Sequence, residues 1–104
     1  MSKRETALLP KVKANLILQH DEDDALLLGF IAAALNYAES YQKHSYGHKP
    51  LPPATEQAVI MLSSHFYESR DGSTAGFFAD NTNAAAQVWL AVNRLLAMGK
   101  DWVV

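Results

Sequence analysis

The chain has 104 residues, 49% of them hydrophobic and 19% charged, with 9 Lys+Arg against 11 Asp+Glu for a formal net charge of -2. That length suits a single domain spanning residues 1–104, which buries about 65% of the surface its unfolded chain exposes. The composition excludes intrinsic disorder and a basic nucleic-acid footprint, and with 0 Cys it also excludes disulfide scaffolds and thiolate metal sites.

The N-terminal MSKRETALLPKVK has basic residues but no continuous apolar run, so no secretory signal is expected and residues 1–8 read as flexible. Pro10 suits a helix start, because proline at the first helical position gives up only an N–H that had no partner. Val12, Leu16 and Ile17 follow at helical spacing, which predicts a short first helix from about Pro10 to Leu18.

Asp21-Glu22-Asp23-Asp24 places carboxylates at the positive end of a second helix, running from Ala25 to about Lys43 and broken by Tyr46-Gly47-His48-Lys49-Pro50. Two faces of this helix carry large residues: Leu27/Ile31/Leu35/Ala38 and Leu26/Phe30/Tyr37/Tyr41. A third face is small, Ala25/Gly29/Ala32/Asn36, and either packs closely inside the monomer or meets another subunit. The longest wholly apolar run, Ala25 to Leu35, falls short of the ~20 residues a membrane span needs.

Pro52-Pro53 sets up a third helix with Glu56 in its first turn, an apolar patch from Ala58 to Leu62, and an Ala58/Leu62/Phe66 stripe. Apolar groups on more than one side make it the central helix. Asp71 to Gly76 reads as a loop on turn chemistry. Phe77-Phe78 follow, either folding back on the core or forming a contact arm. Asp80-Asn81-Thr82-Asn83 offers caps for a last helix with Ala85, Val88, Trp89, Val92, Leu95 and Leu96 at core spacing, ending at Gly99. Trp89 reads as core. Trp102, in the apolar tail Trp102-Val103-Val104, reads as an interface residue.

The expected fold is therefore all-α, a small bundle of about four helices with a short first helix, two long central helices and a C-terminal helix. Catalytic chemistry would rest on His44, His48, His65 and Glu68 and finds little support. His65 and Glu68 share an i, i+3 face, but the second Glu-x-x-His of a di-metal bundle is absent. There is no nucleophile elbow, phosphate-binding glycine loop or zinc-helix motif, and the Asp21–Asp24 run lacks the alternating spacing and glycine of a calcium loop. No catalytic residue, cofactor or metal is expected.

The acidic-start helix DEDDALLLGFIAAALNYAESY, the short proline loop, LPPATEQAVIMLSSHFYESR and the final LL…WVV together resemble the head-tail connector family of tailed phages. These are head-completion or DNA-packaging adaptor proteins of long-tailed phages and prophages. The resemblance covers roughly Leu9 to Val104. It departs from the family where residues 76–86 are Asn/Ala-rich and the last helix looks longer.

The resemblance implies a non-catalytic virion protein at the head–tail junction, made in the bacterial host cytoplasm. It implies a homo-oligomeric ring of about a dozen copies on the phage portal protein, offering a platform to a head-completion or tail-terminator protein. DNA would cross the lumen without specific binding, and no membrane is involved. The residues expected at an oligomer or portal interface are Ala25, Gly29, Ala32, Phe77, Phe78, Trp102, Val103 and Val104. A small helical module binding a protein or DNA is the alternative reading, and the acidic charge balance argues against its DNA form.

Overall fold

The computed structural model describes residues 3–47, 49–69 and 82–98. They form four α-helices: α1 (Lys3–Leu16), α2 (Asp24–Gln42), α3 (Pro53–Glu68) and α4 (Thr82–Met98). Among the described residues there is no strand, so the chain is the all-α bundle expected.

The first helix differs most from expectation. It starts at Lys3, and Pro10 lies inside it. An interior proline removes one backbone donor and crowds the carbonyl four residues back, at about 3 kcal/mol. On the inward face of α1, Leu8 and Val12 are both in the core, and burial of such side chains is worth about 2 kcal/mol each. That gain offsets the proline, whose own ring is exposed. Leu8, expected in a flexible leader, is thus a core residue.

At its end α1 closes with paired turn bonds, Leu18 N–H to the Lys13 carbonyl at 2.9 Å and Ile17 N–H to the Ala14 carbonyl at 3.2 Å. This pattern requires a left-handed residue between them, and Ile17 fills it at φ 59.

The second helix begins at Asp24 and stops at Gln42, close to the predicted ends. Lys43 takes the left-handed conformation at φ 54, and the His44 N–H reaches the Glu39 carbonyl at 3.1 Å. The loop that follows turns at Gly47, whose φ of 57 suits glycine. Arg4 anchors this loop to the start of α1, donating to the Gly47 carbonyl at 2.7 Å and to the Lys49 carbonyl.

Pro53 opens α3 as predicted. This helix packs against all three others, which accounts for its apolar residues on more than one side. Ala58, Val59, Ile60, Leu62 and Tyr67 are buried there. They meet Leu8 and Val12 of α1, Leu27, Ile31, Ala34, Leu35 and Ala38 of α2, and Val92 and Leu96 of α4 in one core. Of the predicted stripe on α3, Ala58 and Leu62 are fully enclosed and Phe66 lies at the margin.

Candidate functional site

Of the candidate catalytic side chains, Glu68 is exposed, His44 is half-buried with its ring 4.5 Å from that of Tyr46, and His48 lies outside the described residues. His65 on α3 lies in an aromatic cluster, its ring 6.3 Å from that of Phe66 and 6.1 Å from that of Trp89. Phe66 in turn meets Phe30 at 6.0 Å, and Trp89 meets Tyr37 edge-on at 5.3 Å. Burial in this apolar surround pushes the His65 pKa down, and the nearby Glu68 charge opposes the shift. Among the described residues, no group of three or more His, Cys, Asp or Glu is placed to hold a metal ion.

The acidic run at the start of α2 is tied into the fold. Lys13 pairs with Asp21 at 2.5 Å and with Asp24 at 2.9 Å, and the Tyr67 hydroxyl donates to Asp23. The bonds to Asp21 and Asp24 raise the Lys13 pKa, and the bond to Lys13 lowers that of Asp21. These carboxylates hold the end of α1 and the end of α3 to the start of α2.

A buried polar knot escaped the sequence reading. The Gln42 side chain is enclosed and donates to the Thr55 hydroxyl at 2.8 Å and to the Leu96 carbonyl at 3.0 Å, while accepting from the Tyr46 hydroxyl. It joins the end of α2, the following loop, the start of α3 and the end of α4. The signal was its spacing: Gln42 follows Ala38 by four residues and continues the Leu27/Ile31/Leu35/Ala38 series.

Of the residues expected at an interface, Ala25 and Gly29 are exposed and Ala32 is half-buried. A Cβ added at Gly29 would meet no atom within 4 Å, so the described parts of the chain do not cover this face. Phe77, Phe78, Trp102, Val103 and Val104 lie outside the described residues. Other large apolar groups stand in solvent that the sequence reading did not mark: Ile17 at 81% exposure, Met98 at 74%, Leu90 at 43% and Leu26 at 42%. An open cleft of about 290 Å³ lies beside α2, between it, the start of α1 and the α2–α3 loop.

Fold and surface together define a small all-α bundle with several large apolar side chains exposed. A family model described as "Phage gp6-like head-tail connector protein" matches residues 6–95. With nearly all of the chain matched, the protein belongs to that family of phage structural proteins, as the acidic-start helix and the LPPATEQAVIMLSSHFYESR segment indicated. No curated protein and no solved structure matches the chain. The family is one of virion components and not a known class of enzyme, and its members work with other head and tail proteins. Among the described residues, no helix is long and apolar enough to cross a membrane.

Proposed function

We propose that the protein assembles as a ring of about a dozen copies on the portal of the DNA-filled head and connects that head to the tail. The observation that carries this reading is the family match over residues 6–95. The ring presents its far side to a head-completion or tail-terminator protein, and the packaged DNA crosses its lumen. A net charge of -2 supports free passage, since a strongly basic lumen would bind phosphates tightly. The protein acts at the head–tail junction of the virion after synthesis in the host cytoplasm, and it performs no catalysis.

Ala25, Gly29 and Ala32 are proposed as oligomer contacts, a role supported by the open face on which they lie. Phe77, Phe78, Trp102, Val103 and Val104 are proposed as further contacts with neighbouring copies or the portal. Sedimentation of the protein alone and mixed with its cognate portal tests the reading. A portal-bound or free ring is the expected species. A strictly monomeric protein at high concentration that also ignores the portal would contradict it.

A further inference from the structure

A solvent-facing helix ordinarily carries several charges, and α1 has Lys3, Arg4, Glu5, Lys11 and Lys13 along its length. By contrast, α4 carries one charged residue over its whole length, Arg94. Leu90, Arg94 and Met98 follow at i, i+4 and i+8, which places them on one face, turned away from the buried Val92 and Leu96. All three are exposed. The outer face of α4 therefore carries Leu90 and Met98 around a single cation, with the exposed, uncharged Gln87 on the same side.

On α2, beyond the opening Asp24, the one charged residue is Glu39. The outer face of this helix, with Ala25, Gly29, Ala33 and Asn36, is exposed and otherwise uncharged. Glu39 borders it from the cleft beside α1, together with Glu5, Asn36 and Arg4, whose guanidinium is engaged by the Gly47 and Lys49 carbonyls. The Tyr46 N–H donates to Glu39 Oε2 at 2.9 Å and fixes the carboxylate at that position.

The single cation on the α4 face and the net negative cleft beside the α2 face, where Glu5 and Glu39 outnumber Arg4, are complementary. We propose that the α4 outer face of one copy docks on the α2 outer face of the next, with Arg94 entering the neighbouring cleft against Glu39. A guanidinium suits this role, because its planar fork can share a carboxylate that already accepts one hydrogen bond. Leu90 and Met98 then lie over the small residues of α2, where the absence of bulk lets the helices approach. Because the contact joins two different patches, it is heterologous, the kind that closes into rings. The pairing rests on the ring reading above and names the surfaces that build it.

Charge exchange tests it in the full chain. Arg94→Glu should weaken assembly, alone or on the portal, by about tenfold or more, with the monomer's circular dichroism unchanged because Arg94 is exposed. Glu39→Lys should weaken it similarly, and the double variant should recover it. Since Glu39 also holds the Tyr46 N–H, a second variant avoids that bond: Arg94→Cys with Asn36→Cys, in a chain with 0 Cys of its own, should give a ladder of disulfide-linked multimers. Rings from Arg94→Glu at the wild-type concentration, or no ladder where the unaltered chain assembles, overturn the pairing and leave the ring reading standing. A wild-type chain that never assembles overturns both.

Discussion

Ile17 holds a left-handed backbone at φ 59 while its side chain stands in solvent, a costly position for a β-branched residue. That conformation costs an L-residue about 1–2 kcal/mol, and glycine's extra unfolded-state freedom returns about 0.5–1 of it. Ile17→Gly should therefore stabilise the monomer by about 0.5–1 kcal/mol, read as a rise in melting temperature. A drop would show that Ile17 packs more than its exposure indicates. Gln42 acts in the opposite sense. Gln42→Leu leaves the Thr55 and Tyr46 hydroxyls and the Leu96 carbonyl each short of a partner, and urea unfolding should show a loss of about 2–4 kcal/mol. A loss below about 1 kcal/mol would mean that the knot is replaceable by apolar packing. His65 supplies the pH dependence. Burial lowers its pKa from the ordinary 6.5, so the folded state prefers the neutral ring. Its stabilisation is complete above the unfolded value and is lost as pH falls through the lower folded one. Melting temperature should decline on acidification below pH 6.5, and His65→Gln should flatten that part of the profile.

At the scale of elements, α2 and α3 were legible because their ends carry explicit chemistry. Acidic residues precede α2, a loop with Gly47 and Pro50 follows it, and Pro53 opens α3. The start of α1 was not legible, because the rule that places proline at a helix start is local, whereas burial of Leu8 and Val12 is a tertiary gain. Exposure of the α2 outer face was equally hidden. Alanine and glycine suit close packing and exposed surface alike, so only coordinates show that Ala25 and Gly29 are exposed. The outer face of α4 could have been found by asking where its charges were, since Arg94 stands alone. The central position of α3 has a direct consequence. Leu62 touches the shared core, so Leu62→Asp buries an unpaired carboxylate and should melt all four helices together. Loss of the α3 signal alone, with α1 and α2 still protected in hydrogen exchange, would break the picture of one cooperative core.

At the scale of the whole molecule, the stabilising groups and the open groups are separated. Lys13 with Asp21 and Asp24, Tyr67 with Asp23, and the Gln42 knot tie helix ends together inside one copy. The outer faces of α2 and α4 are left nearly uncharged, and these are the surfaces proposed for contact between copies. A phage connector needs both properties, a rigid unit and a repeatable contact. Electron microscopy of the protein mixed with its cognate portal tests this most directly. A closed ring of this chain seated on the portal, with α4 of each copy against α2 of the next, is the expected image. Bare portals beside free monomers at saturating protein would contradict it.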